Sequence, residues 1–256
     1  MPTASIIIPT LGRSESLRDC LESLWSQTNQ DFEIIKVTEE GELSKLRNFG
    51  AQQAKGEILI FIDDDVVCSP NWFRSIIETF RKQKVEGVSG TSFITREFRK
   101  NRDIFRFKVV QDFFTGFRWD LPGHISKWGT WTTGASEENC SYEGEVEFLE
   151  ACNMSFLQKV FKANGGFDES YRGIGDWSEP DLCFRIRKAG GRLWFARDAR
   201  LEHRPSKSGA FKKRSSDSRN RMANYELFSS RWIKPCWQHT LYKQFLRTYY
   251  EITAFK

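Results

Sequence analysis

The sequence is short of the features that mark membrane-spanning, disulfide-built and repeat proteins. No apolar run comes near the roughly 18 residues that a helix needs to cross a bilayer. The first residues lead into a short strand instead of a charged and then apolar leader, so the expected compartment is the cytoplasm. The six cysteines (Cys20, Cys68, Cys140, Cys152, Cys183 and Cys236) contain no Cys-x-x-Cys pair and no metal-ligand spacing. That argues against a redox motif or a zinc site and leaves them reduced and structural. No period of solenoid type repeats along the chain.

What is present suits a globular protein. The length allows one large or two small domains, and 39% hydrophobic with 14% aromatic residues suffices for a core. The net charge of +5 is unevenly placed. From Gly209 to Lys256 ten Lys or Arg stand against three Asp or Glu, a local +7 that leaves the first 208 residues at −2. An enzyme built around a basic nucleic-acid groove does not have this distribution, so no nucleic-acid partner is expected.

Ala4 to Ile8 predicts a short strand stopped by Pro9, with Pro9 to Arg13 as the loop after it. Leu17, Leu21, Leu24 and Trp25, with Cys20 between them, follow one helical face, and Ser14 is the N-cap residue type. Phe32 to Val37 predicts a second strand. Leu43 to Lys55 predicts a helix with Leu46, Ala51 and Ala54 inward and Gly56 as C-cap. Ile58 to Ile62 has no polar alternation and reads as a strand buried on both faces. Ser69-Pro70 then opens a helix carrying Trp72, Phe73, Ile76, Ile77 and Phe80. This β-α-β-α-β-α order implies a parallel sheet with right-handed crossovers.

Gly87 to Thr95 predicts another strand, and from Arg96 to Tyr142 the periodicity dissolves into a long segment, either substrate-facing or ordinary packing. Gly144 to Glu150 reads as a strand and Leu157 to Ala163 as a helix ended by Asn164-Gly165-Gly166. Ser178-Glu179-Pro180-Asp181 has the form of a helix start with Asp181 as the capping acid. Arg192 to Ala196 and Arg200 to His203 predict two short strands, and the tail leans to helix.

The chemistry centres on Asp63, Asp64 and Asp65, which follow the apolar strand directly. In open α/β sheets ligands bind beyond the carboxyl ends of the strands. Three like charges there read either as a site for a hard divalent cation, Mg²⁺ or Mn²⁺, or as a solvated acidic turn.

Further motifs surround this run. They are Ile6-Ile7-Ile8-Pro9-Thr10 with Arg13, Leu46-Arg47-Asn48, Ala54-Lys55-Gly56-Glu57, Gly165-Gly166-Phe167-Asp168-Glu169, and Glu179-Pro180-Asp181-Leu182 with Arg185 and Gly190. In this order, across residues 4 to 205, the chain resembles a family-2 glycosyltransferase of the GT-A fold. The resemblance implies a single α/β domain over 1–208, with a mostly parallel central sheet flanked by helices. It divides into a Rossmann-like nucleotide-sugar half (1–95) and an acceptor half (96–208), followed by a basic, aromatic helical extension (209–256). It implies inverting transfer of a sugar from a nucleotide diphosphate-sugar to a glycan, polysaccharide or lipid-linked acceptor, with Mg²⁺ or Mn²⁺ held by the Asp-x-Asp motif. Asp65 is then the leading metal ligand and Asp63 or Asp64 faces the ribose and metal, while Pro9, Thr10, Arg13 and Glu39 line the nucleotide and Arg47 supports the acidic loop. His203 either completes the metal site, as in related enzymes, or is a satisfied structural residue. The family often places Asp right after the second strand, whereas here Thr38, Glu39 and Glu40 follow Val37.

An inverting displacement needs a base for the acceptor hydroxyl. Family members commonly carry Glu-Asp before this helix, and aligning on Asp181-Leu182 puts Ser178 and Glu179 at those positions. Glu179 is therefore the expected base, Asp181 the alternative and Asp176 behind both. The tail interleaves Trp232, Trp237, Tyr242, Phe245, Tyr249 and Tyr250 with Arg and Lys, which suits a packed helix, the surface of an anionic membrane or a partner. Two other functions compete: a nucleotide-sugar-binding scaffold without activity, and a nucleotidyltransferase, which would carry a Gly-rich phosphate loop where Pro9 to Gly12 stand.

Overall fold

A computed structural model describes residues 1–12, 14–94, 121–132, 134–136, 138–205 and 217–254. Arg13, most of the irregular segment after Arg96, and Ser206 to Gly209 lie outside the described residues. The chain runs β1 (Ala4–Pro9), α1 (Ser14–Trp25), β2 (Phe32–Val37), α2 (Leu43–Gln53), β3 (Ile58–Phe61), β4 (Val66–Cys68), α3 (Trp72–Gln83), β5 (Gly87–Phe93), β6 (Gly144–Glu145), β7 (Met154–Leu157), α4 (Gln158–Ala163), α5 (Ser178–Lys188), β8 (Leu193–His203), α6 (Ser218–Trp232) and α7 (Trp237–Ala254). The strands form one eight-stranded sheet in the order β2-β1-β3-β7-β5-β8-β4, with β6 paired to β8.

β3 shows why the apolar run has no alternation. Leu59 and Phe61 enter a core shared with α2, α4, α5, α6 and α7. Ile58 and Ile60 enter a second core with α1 and α3 on the other face of the sheet. Helices cover both faces, so every residue of the strand is buried. β1 runs parallel to β2 and β3, with Pro9 opposite Val37 and Ile7 opposite Phe61. The loops after these three strands therefore open at the same end of the sheet.

Beyond β3 the sheet is mixed. β7 inserts antiparallel between β3 and β5, β5 and β8 pair in parallel, and β4 and β6 run against β8. The parallel arrangement expected from the alternation of elements holds for β1 to β3 and for β5 with β8. β7 falls where the sequence predicts only the approach to a helix. Its Ser155 meets the buried environment by donating Oγ–H to Val88 O at 2.7 Å. The expected strand at Gly144 to Glu150 shortens to two residues, because the Glu147 and Phe148 amides turn away to the Gly123 carbonyl. The two strands expected near the end are one, β8, whose pairing with β5 shifts register between Gly90 and Ser92. At Gly90 a Cβ would lie 2.0 Å from Ala199 O, so only glycine lets β8 pass there.

α2 ends at Gln53, with Ala54 already extended, two residues before the expected Gly56 cap. α5 begins at Ser178, but the residue before it, Trp177, takes the cap position in the left-handed region (φ 78°) with no side-chain cap bond. The basic aromatic end forms α6 and α7, which bury Tyr225, Phe228, Tyr242, Leu246 and Tyr250 in the larger core. Among the described residues no helix is long and apolar enough to cross a membrane.

Candidate active site

The three aspartates leave the end of β3 and differ at once in surroundings. Asp63 keeps a third of its side chain exposed. Asp64 is buried and accepts Thr10 Oγ1–H at 2.6 Å. Thr10 also donates its N–H to Val37 O and accepts from Gly12 N–H, so it joins the loops after β1 and β2 to the acidic run. Asp65 is buried and lies 3.3 Å from His203 Nε2. That approach follows from β4, which pairs antiparallel with β8 and sets Val66 opposite His203, while Arg204 N–H donates to Asp65 O at 2.8 Å.

Ligand atoms of Asp63, Asp65 and His203 all lie within 4.8 Å of one another. Two carboxylates and an imidazole around one point form a donor set for a metal cation. Burial alone would lower the His203 imidazole. Hydrogen bonding with Asp65 and Cys152 outweighs that and raises it to about 10. Beneath the cluster the Cys20 thiol is pushed up to about 12 by burial and then by Asp64, Asp65 and Asp63, which makes it an inert core group.

Arg47 connects this cluster to α5. It is 1% exposed, lies 3.8 Å from Asp63 Oδ1 and 2.5 Å from Glu179 Oε1, and rests over the Phe167 ring at 5.5 Å. Glu179 is buried at the first turn of α5. Burial raises its carboxyl above the ordinary value, and Arg47 opposes that shift. One guanidinium thus touches both a candidate metal ligand and the candidate base.

Asp181 is turned elsewhere. It accepts from Arg185 Nε at 2.9 Å, Arg231 Nη1 at 3.1 Å and Trp232 Nε1 at 2.8 Å, with no exposed surface. Among the described residues the capping role expected for it is absent, since Ser178 Oγ has no hydrogen-bond partner there and Trp177 stands at the cap. Its carboxylate joins α5 to α6 instead. Pro9 sits half-buried at the end of β1 and Glu39 is exposed after β2, both at the sheet end that carries the cluster. Sequence reasoning did not find Trp177 or the Asp176–Arg221 ion pair, 2.6 Å apart and largely buried. The one available signal was a Trp among glycines, since the partners lie 45 residues apart.

Comparison with known proteins bears on this geometry. Residues 35–162, half of the chain, match the family described as Glycosyl transferase family 2. The glucosyl-dolichyl phosphate glucuronosyltransferase of Haloferax volcanii is 22% identical over 234 residues, covering 78% of this chain and 68% of its own length. The O-antigen biosynthesis protein RfbC of Myxococcus xanthus is 28% identical over 240 residues, 81% of this chain but only 18% of its own. Among solved structures, the mannosyltransferase PcManGT from Pyrobaculum calidifontis in complex with GDP-Man and Mn²⁺ superposes with a TM-score of 0.58 at 14% identity, over 99% of this chain and 72% of its own. GalNAc-T7 with UDP, GalNAc and Mn²⁺ gives 0.57 at 14%, over all of this chain and 52% of its own. At such identities the likeness shows a shared fold.

Proposed function

The chain belongs to glycosyl transferase family 2 and has the GT-A fold, and from that premise we propose that it moves a sugar from a nucleotide diphosphate-sugar to an acceptor hydroxyl with inversion. The observation that carries this reading is the convergence of Asp63, Asp65 and His203 at the carboxyl end of the sheet. These residues would hold Mg²⁺ or Mn²⁺, which when bound offsets the charge of the leaving diphosphate. Two solved structures of this fold carry Mn²⁺ with a nucleotide or nucleotide sugar, in support of the same chemistry.

The chain's own residues divide the remaining work. Pro9, Thr10 and Glu39 line the nucleotide, and Thr10 also keeps Asp64 in place. Arg47 holds Asp63 and Glu179 in register with one another. Glu179 takes the acceptor proton as the hydroxyl attacks the anomeric carbon. Its burial favours accepting that proton, and Arg47 keeps the carboxylate available. Asp181 fastens α5.

The acceptor is a saccharide or a lipid-linked saccharide. A relative named as acting on glucosyl-dolichyl phosphate supports offering a lipid-linked phosphosugar first. Exposed Trp237 and Leu241, one turn apart on α7, support peripheral contact with a membrane that presents such an acceptor.

The test is to supply UDP-, GDP- and dTDP-sugars with Mn²⁺ and follow nucleoside diphosphate release. Release that stops with chelator supports the proposal. Binding without release makes the chain a scaffold, and pyrophosphate formed from a nucleoside triphosphate makes it a nucleotidyltransferase.

A further inference from the structure

We propose that α6 is the positioning element of the candidate base, with Arg221 and Arg231 gripping carboxylates on either side of Glu179. The inference rests on the reading of Glu179 as that base. Its starting point is the chain that leads into α5. Gly173, Gly175 and Trp177 all have left-handed backbones (φ 62°, 71° and 78°). Two glycines give this segment many alternatives, and a bulky residue at positive φ persists only where its surroundings impose it. Something outside the segment must therefore set the direction in which α5 starts.

α6 supplies it from a single face. Asn224 accepts Arg172 N–H at 2.9 Å and donates to Arg172 O at 3.0 Å. Arg221 meets Asp176 at 2.6 Å and lies over the Tyr250 ring of α7 at 5.0 Å. Tyr225 and Phe228 close on the Trp177 ring with centroids 5.2 and 4.7 Å away. Arg231 and Trp232 reach Asp181. Residues 221, 224, 225, 228, 231 and 232 follow the spacing of one helical stripe.

The ten helical steps from Arg221 to Arg231 span about 15 Å of helix. The two arginines thus straddle Glu179, three residues after Asp176 and two before Asp181. A helix that only covered a core would put an apolar residue at position 221, since burying an arginine there costs desolvation. Arg221 also answers the Asp176 charge, which otherwise acts on Glu179 to favour its protonated form.

The test compares R221M, R221K and N224A with the unaltered chain, on the donor sugar that turns over fastest with Mn²⁺, after melting temperatures confirm folding. N224A removes a tie without leaving a buried charge unpaired, so it stands in if R221M fails to fold. The expected result is a kcat lower by about tenfold to a hundredfold with the donor KM within about twofold, and partial recovery in R221K. In an E179Q background R221M and N224A should cost less than about twofold, because the group they position is already gone. An unchanged kcat in folded variants overturns the proposal. So does the same factor lost in both backgrounds, which would mark a purely structural helix. If E179Q itself leaves transfer intact, the reading of the base falls and this inference falls with it.

Discussion

Asp64 and Asp65 are neighbours in sequence with different work, and substitution separates them. Asp65 faces His203 and Asp63 across the candidate cation position, whereas Asp64 is spent on Thr10. Asp65→Ala is expected to abolish Mn²⁺-dependent binding of UDP or GDP by calorimetry while the protein stays folded. Thr10→Val should cost about 1 kcal/mol of stability, the usual worth of a lost internal hydrogen bond, and leave the metal requirement in place. Retention of metal-dependent binding in Asp65→Ala would remove the cluster from the site. Glu179 carries a second prediction. Burial raises its carboxyl above the ordinary 4.5 against the pull of Arg47, and the base must be ionised to act. Transfer should rise with pH through a limb lying above 4.5, and Glu179→Gln should lower the rate at least about a hundredfold. An acid limb at or below the ordinary carboxylate value would point to a different base.

Elements differed in how far they could be read from sequence. β3 was legible because helices bury both of its faces, and α3 because Trp72, Phe73, Ile76, Ile77 and Phe80 all turn one way into the core. The acidic run was legible by its place after β3. β4, three residues directly after that run, was hidden by its shortness, and β7 has four residues whose partners, β3 and β5, lie far away in sequence. The stripe on α6 was hidden for another reason: half of it is polar, and its meaning lies in Asp176 and Asp181, which no periodicity connects to it. The same helix is clasped to α7 by Glu226, which meets Arg247 at 2.5 Å and Lys243 at 3.2 Å. The hydrogen bond from Arg247, aided by Lys243, holds the Glu226 carboxyl below its ordinary 4.5 although partial burial opposes this. A depressed carboxyl contributes stability that is present above its unfolded value and is lost as pH falls through the folded value. Glu226→Gln should therefore lower the urea midpoint at neutral pH and converge with the unaltered chain in acid below 4.5. A constant difference at every pH would mean that the charge is not what matters there.

On the scale of the whole molecule, the candidate site is assembled from both ends of the sheet order. Thr10 comes from the end of β1, Asp63 and Asp65 from the turn between β3 and β4, His203 from β8, Arg47 from α2 and Glu179 from α5. A donor bound there would touch segments drawn from across the sheet and from two helices, so its binding energy should appear as stability of the entire fold. Linkage sets the size: at a hundredfold excess over Kd a ligand specific for the folded state contributes about 2.7 kcal/mol. For a chain of this length that corresponds to a rise in melting temperature of about 5–10 °C. Because the diphosphate and the acidic cluster repel each other without a cation, neither Mn²⁺ nor nucleotide alone should reach that shift. Only the pair should. Thermal melts with UDP, GDP and dTDP, each with Mn²⁺ and with chelator, measure it directly, and the nucleotide giving the largest metal-dependent rise identifies the base of the donor. A nucleotide shift that is the same in chelator would show that Asp63, Asp65 and His203 take no part in holding the diphosphate.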